Sequence, residues 1–454
     1  MRITTLSPKK SSSQAIIDNV ASDKSISHRA IIFAFLSDKK SKIRNFLLGQ
    51  DTLNTLKIAM QLGMCVFAND KKIKHISEIP QNGEIALICD ERGILEPSDI
   101  LDCGNAGTAI RLYLGLLSTQ KGHFVLSGDE YLRIRPMKRV IAPLNNIGAK
   151  ITARCDNNLA PISIKGQELE TFSYHSEISS AQVKSAMILA ALNAQPKKSA
   201  KSQFSEIALS RDHSERMLNG MGANLQIDNN TITITPLKSP LKALDLTIPS
   251  DPSSAFYFAI LALIANKNIT IKNMLLNKTR IEAFNILKSM GANIEFDIKE
   301  SAFEDIGDVI IYKDAPLKAI IVEENIAWLI DEIPALAVLF AFVGGKSIVK
   351  NAAELRTKES DRIKATLDNL AKLGVRFEEF DDGFAIVGGF KIPDKKVIFE
   401  SYGDHRIAMS FAILGAICEI EILDSACIDV SFPNFLDIIS QFMEVKNMEH
   451  TSAD

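Results

Sequence analysis

Cationic side chains stand at the beginnings of apolar segments, where little in the local sequence accounts for them. Lys24 and Arg29 flank the start of the run KSISHRAIIFAFL, and Arg111 lies six residues after Asn105 in GNAGTAIRLYLGLL. Arg135 precedes Pro136, Lys184 follows Gln182, and Arg211 lies in SRDHSERM. Lys358 and Arg362 occupy RTKESDR, and Arg406 follows His405. If these segments are helices, the cations are at the wrong end, because the macrodipole favours cations at the C-terminus. Repeated violation of a local rule marks a functional site. A multiply anionic ligand offsets the repulsion: Arg suits bidentate phosphate or carboxylate recognition, and Lys supplies a point charge.

Three acids stand beside these cations: Asp331 in DEIP, Glu359 next to Lys358, and Asp404 next to His405. Carboxylates in a charged, poorly hydrated site are candidates for proton transfer. Each also has a plain structural reading. Glu359 is placed for an i, i+3 pair with Arg362, and Asp331 for a helix N-cap. The local sequence leaves both readings open.

The elements that carry these residues repeat. A helix-like segment ending in Gly and followed by a strand-like run occurs at Gly63, Gly148, Gly222, Gly291 and Gly374, with separations of 85, 74, 69 and 83 residues. Gly there suits a left-handed position that ends a helix. A sixth copy falls near Phe442–Lys446, without the Gly. A second series consists of polar segments that open strongly apolar helices, marked by Ser25, Asn105, Ser180, Ser253, Asp331 and Asp404. Its steps are 80, 75, 73, 78 and 73 residues. Two independent landmarks with one period predict six α/β units of about 75 residues. Helices that are apolar on nearly all faces are buried. Their free N-terminal N–H groups attract anions, each contributing roughly 0.3–1 kcal/mol.

Composition sets the remaining bounds. The chain has 454 residues, 46% apolar and 24% charged, which predicts a globular protein of two or three domains. A net charge of −3 argues against nucleic acid or membrane as the main partner. The six cysteines form no C-x-x-C pair and are expected to be buried, reduced thiols. The N-terminus has no apolar signal region, and no apolar run reaches the roughly 18–20 residues of a membrane span. The histidines show no metal-ligand spacing, and His405, inside GDHR, is the best functional candidate among them. GNAGTA lacks the GK[ST] of a phosphate-binding loop.

Taken in order, DKSISHR, GNAGTAIR, RPM, SAQVKSA, SRDHSERM, DPSSA, NKTR, DEIP, ELRTKESDR, GDHR and SFPNF give the chain a close resemblance to the EPSP synthases, the 3-phosphoshikimate 1-carboxyvinyltransferases. The resemblance runs from about Asp23 to Leu436, and SAQVKSA and SRDHSERM resemble the bacterial class II subgroup. It implies a two-domain inside-out α/β barrel of six βαβαββ repeats, three per domain, with the active site in the interdomain cleft. One domain would combine residues 1–21 with 246–454, and the other would span 22–245. The implied reaction moves the enolpyruvyl group of phosphoenolpyruvate onto the 5-hydroxyl of shikimate 3-phosphate by addition and elimination, releasing phosphate. This is a step toward chorismate and the aromatic amino acids. A cytoplasmic monomer with neither metal nor organic cofactor is expected.

The resemblance also assigns roles. It implies that Lys24, Ser25, Arg29, Ser179, Ser180, Gln182, Arg211, Asp331 and Lys358 bind shikimate 3-phosphate. Lys24, Gly107, Arg135, Gln182, Lys358, Arg362 and Arg406 would line the phosphoenolpyruvate pocket. Asp331 would deprotonate the 5-hydroxyl, and Glu359, helped by Lys24, would protonate the methylene carbon. Gly107 is the residue associated with glyphosate sensitivity, so inhibition by glyphosate is expected. The chain departs from the family pattern at Ala21-Ser22, where many members have Pro-Gly, and at Val430 or nearby, where some carry a Lys. Two rivals are a transferase acting on UDP-N-acetylglucosamine and a non-catalytic anion-binding protein on the same scaffold. Gly128–Arg135 lacks the Cys the first would use, and the second would not need Asp331 and Glu359.

Overall fold

A computed structural model of the protein describes residues 2–197, 199–301, 303–313, 316–392 and 395–449. All six apolar segments form buried helices: Lys24–Ala34, Gly107–Leu117, Ala181–Leu192, Pro252–Ile264, Ile333–Phe342 and His405–Ala412. Three begin with a carboxylate cap. Asp23 accepts from the Ile26 N–H, Asp251 from Ser253 and Ser254, and Asp404 from Arg406. Each such cap contributes about 1 kcal/mol. The marker glycines Gly63, Gly148, Gly222, Gly291 and Gly374 all have positive φ, so each turns the chain out of a helix where a side chain would be strained.

Six sheets occur among the described residues, and they share one strand order. In each, a strand pairs in parallel with a second, which is followed by two antiparallel strands, and one sheet adds a fifth strand, Lys71–Lys72, at its edge. Ser173–Ser176, Ser202–Glu206, Thr231–Ile234 and Leu225–Asp228 are one example. Ile321–Val322, Gly345–Val349, Gly383–Gly388 and Arg376–Phe380 are another. In the sixth, Arg2–Pro8 lies between Ile420–Leu423 and Met443–Glu449, so the two ends of the chain complete a single sheet. The strand expected near Phe442–Lys446 is present there without its glycine.

The chain divides into two compact units, residues 1–21 with 249–454, and residues 22–248. The second unit ends at Ile248, three residues beyond the expected 245, because Asp245–Thr247 pairs in parallel with Ser41–Arg44. Within this unit, helices Gly107–Leu117 and Ala181–Leu192 pack so closely that a Cβ on Gly115 would stand 2.2 Å from the Ala186 carbonyl oxygen. In the first unit, helix Ile333–Phe342 packs against both Pro252–Ile264 and His405–Ala412, and Phe256, Phe258, Phe340 and Phe411 on these helices are buried.

The cysteines differ from expectation. Cys103 and Cys418 are buried, but Cys155 is exposed, carried outward by the left-handed turn Cys155–Asn157. No helix among the described residues is long and apolar enough to cross a membrane.

Candidate active site

In the second unit, the starts of the apolar helices carry a connected polar set. The Lys24 ammonium forms an ion pair with buried Asp51, which lies in the first turn of helix Gln50–Gln61. Arg29 is buried. Its Nε donates to Ser214 Oγ at 2.8 Å, Nη2 to Ser185 Oγ at 2.9 Å, and Nη1 to the Ser25 carbonyl at 3.1 Å. Helices Lys24–Ala34, Ala181–Leu192 and His213–Gly220 therefore meet at one guanidinium. Ser180 sits at the N-cap of Ala181–Leu192 without using its hydroxyl as a cap, and Ser179 Oγ accepts from the Ala208 N–H at 2.9 Å.

Gly107 opens the next helix beneath two guanidinium groups. A Cβ there would lie 2.9 Å from Arg111 Nη1 and 3.1 Å from Arg135 Nη1. Arg111 Nη1 donates to Gln182 Oε1 at 2.8 Å, and Gln182 Nε2 donates to Thr108 Oγ1 at 3.0 Å. Arg135 donates to the side-chain and main-chain oxygens of Asn105. Arg139, which the sequence reading missed, approaches Gln182 Oε1 at 3.4 Å. Its cue was available in the RPMKR run, one helical turn after Arg135.

In the first unit the acids gather on Arg362. Asp361 caps helix Arg362–Lys372, which sets the Arg362 side chain at the buried start of that helix. Its Nε donates to Asp404 Oδ2 at 2.8 Å, Nη1 to Asp331 Oδ1 at 3.1 Å, and Nη2 to Glu359 Oε2 at 2.7 Å. Burial alone would lower the Arg362 pKa, but Asp404, Glu359 and Asp331 hold it above its usual value. The dipole mismatch at this cation is thus offset by the protein's own carboxylates. The same holds for Lys24 with Asp51, and for Lys184 with Glu206 and Glu215. Glu359 forms the i, i+3 pair with Arg362 that its position in the sequence allows. Asp331 does not cap its helix, where Glu332 takes the N-cap position.

Arg406 is different. Buried, with Nε and Nη1 lacking hydrogen-bond partners among the described residues, it lies near the equally buried Tyr257 hydroxyl. Burial pushes the Tyr257 pKa up to about 12, against the opposing pull of Arg406. Lys358 pairs with Glu354 at 2.8 Å, a partner the sequence reading did not single out. His405 opens the Arg406 helix and is buried, and Val430 closes a short turn with no cation at its position. Buried Arg280 contacts Asp251 and Ser253, each at 3.0 Å, and Ser253 bonds Glu332 beside Asp331. Among the described residues no group of three His, Cys, Asp or Glu is arranged to hold a metal ion.

Lys24, Ser25, Arg29, Gly107, Arg135, Ser179, Ser180, Gln182 and Arg211 belong to one unit, and Asp331, Lys358, Glu359, Arg362 and Arg406 to the other.

The family profile described as EPSP synthase (3-phosphoshikimate 1-carboxyvinyltransferase) matches residues 8–439. A 3-phosphoshikimate 1-carboxyvinyltransferase of Wolinella succinogenes is 51% identical over 456 residues, covering 100% of both chains. One of Campylobacter jejuni is 52% identical over 429 residues, covering 94% of this chain and 96% of its own. The solved EPSP synthase of Acinetobacter baumannii superposes with a TM-score of 0.83 at 32% identity, over 98% of this chain and 100% of that one. The chain belongs to the EPSP synthase family, the 3-phosphoshikimate 1-carboxyvinyltransferases.

Proposed function

We infer that the protein transfers the enolpyruvyl group of phosphoenolpyruvate to the 5-hydroxyl of shikimate 3-phosphate, giving 5-enolpyruvylshikimate 3-phosphate and phosphate in aromatic amino acid biosynthesis. The observation that carries the mechanism is the junction of Asp331 and Glu359 on the single guanidinium of Arg362. The reaction needs a base for the hydroxyl and an acid for the methylene carbon, and one rigid fork sets both carboxylates. Asp331 takes the hydroxyl proton as oxygen attacks the enolpyruvyl carbon, and Glu359 delivers a proton to the methylene. In the elimination, a proton of the new methyl group returns to Glu359, the carbon–carbon double bond re-forms, and the C–O bond to phosphate breaks, so that phosphate leaves. Positioned acids and bases each contribute roughly 10²–10⁴-fold, and preorganised cations stabilise the charge on the departing phosphate.

In this reading Lys24, Ser25, Arg29, Ser179, Ser180, Gln182, Arg211, Asp331 and Lys358 bind shikimate 3-phosphate. Lys24, Gly107, Arg135, Gln182, Lys358, Arg362 and Arg406 bind phosphoenolpyruvate. Arg406 supports this, because its buried open donors suit a carboxylate or phosphate. Arg362 has donors on three carboxylates, so besides its place at phosphoenolpyruvate it orients the acids and balances their charge.

The same proposal takes the fold to be the inside-out α/β barrel of six repeats, supported by the shared strand order of the six sheets. It also takes the protein to be a cytoplasmic monomer that glyphosate inhibits. Phosphate release with both substrates, compared with either alone, tests the activity. Asp331→Asn should lower turnover by roughly 10²–10⁴-fold and retain most of the shikimate 3-phosphate binding measured by calorimetry. No phosphate release from the unmodified protein would overturn the reading.

A further inference from the structure

Behind the residues assigned to shikimate 3-phosphate lies a buried charge cluster with no direct part in the chemistry. Lys184, fully buried in helix Ala181–Leu192, places Nζ 2.9 Å from Glu206 Oε1 and 2.8 Å from Glu215 Oε1, and donates to the Ser210 carbonyl at 3.1 Å. Glu206 Oε1 also accepts from the Ser210 N–H at 2.8 Å and from its hydroxyl at 2.9 Å. All three charged side chains are buried. Apolar residues of similar volume would fill this space without the desolvation cost, so stability alone does not account for the cluster.

The charges supply direction. They hold Ser210 by its N–H, its hydroxyl and its carbonyl, and Ser210 immediately precedes Arg211. The same segment is tied to Ser179 through the Ala208 N–H. On the helices, the neighbours of Lys184 and Glu215 are Ser185 and Ser214, whose hydroxyls lie 2.6 Å apart and receive Arg29. One cluster thus braces the backbone next to Arg211, Ser179 and both hydroxyl partners of Arg29. Burial raises the Glu215 pKa despite Lys184.

We propose that Lys184, Glu206 and Glu215 form a positioning clamp that fixes Arg211 and Arg29 for shikimate 3-phosphate, while leaving phosphoenolpyruvate recognition to other residues. The proposal rests on the functional reading above. Charge-assisted hydrogen bonds impose geometry that an apolar filler does not, and small displacements of a binding group cost large factors in rate.

Steady-state kinetics of Lys184→Met, alone and combined with Arg211→Ala, test it. The KM for shikimate 3-phosphate should rise roughly tenfold or more in Lys184→Met, while the KM for phosphoenolpyruvate moves less than about threefold. On the Arg211→Ala background the Lys184 substitution should add much less than it does alone, because both act through one group. Should Lys184→Met fail to fold, Glu206→Gln, which keeps the volume and an acceptor for Ser210, is read by the same two criteria. An unchanged KM for shikimate 3-phosphate, an equal rise in both KM values, or full additivity with Arg211→Ala overturns the clamp while the enzymatic reading stands. Absence of turnover in the unmodified protein overturns both.

Discussion

Arg362 Nε meets Asp404 Oδ2 at 2.8 Å with both side chains withdrawn from solvent. Asp404 also caps helix His405–Ala412 by accepting from the Arg406 N–H at 2.8 Å and takes the Ser360 hydroxyl at 3.0 Å. One carboxylate therefore joins the start of the Arg406 helix to the guanidinium that holds Asp331 and Glu359. Arg362→Met leaves that carboxylate buried without its cation. We expect destabilisation of about 3–5 kcal/mol, read as a lower urea midpoint, and turnover below detection. An unchanged midpoint would show that Arg362 is not the counter-charge described.

Asp331→Asn and Glu359→Gln keep shape and remove ionisation. Each should lower kcat by roughly 10²–10⁴-fold. The double variant should be little worse than the poorer single, because the two acids serve one addition step. Equal and multiplying losses in rapid-quench single turnovers would assign them to separate steps.

Gly107→Ala places a methyl group 2.9 Å from Arg111 Nη1 and 3.1 Å from Arg135 Nη1. Both contacts are ends of long side chains, so the helix should fold and the guanidinium groups should shift. The KM for phosphoenolpyruvate should rise roughly tenfold, and the glyphosate concentration for half-inhibition should rise further. Identical inhibition curves for the two proteins would remove Gly107 from the pocket.

His28 is fully buried, with Nδ1 2.7 Å from Thr55 Oγ1. Burial first, then Lys24 and Arg29, hold its pKa well below 6.5. The folded state keeps the ring neutral, while the unfolded chain protonates it below about pH 6.5. The stability it contributes is thus present above that pH and is lost as pH falls below it, by up to about 1.4 kcal/mol per pH unit. His28→Gln should flatten this part of the profile. Urea midpoints at pH 7, 6 and 5 that fall in parallel for both proteins would place the acid sensitivity elsewhere.

Gly115→Ala drives a methyl group into the Ala186 backbone, 2.2 Å from its carbonyl oxygen. Two helix backbones cannot yield as side chains do, so a loss of about 1–3 kcal/mol is expected. A melting temperature equal to that of the unmodified protein would contradict this packing.

Much of this protein is readable from residue order alone. The apolar runs and the Gly63-to-Gly374 series set six helices and the points where companion helices end, because burial and left-handed backbone are local demands of residue type. Family membership was equally legible, since SAQVKSA, KESDR and GDHR are short and ordered. Partner choice was not. Nothing near Lys24 in the chain points to Asp51, nothing near Lys184 to Glu206, and nothing near Arg362 to Asp404. The sequence shows a cation at the wrong end of a helix, but the anion that answers it comes from another element tens of residues away. Whether that anion is a ligand or a carboxylate of the chain is decided by tertiary packing: the protein supplies it at Lys24, Lys184 and Arg362, and leaves Arg406 with open donors.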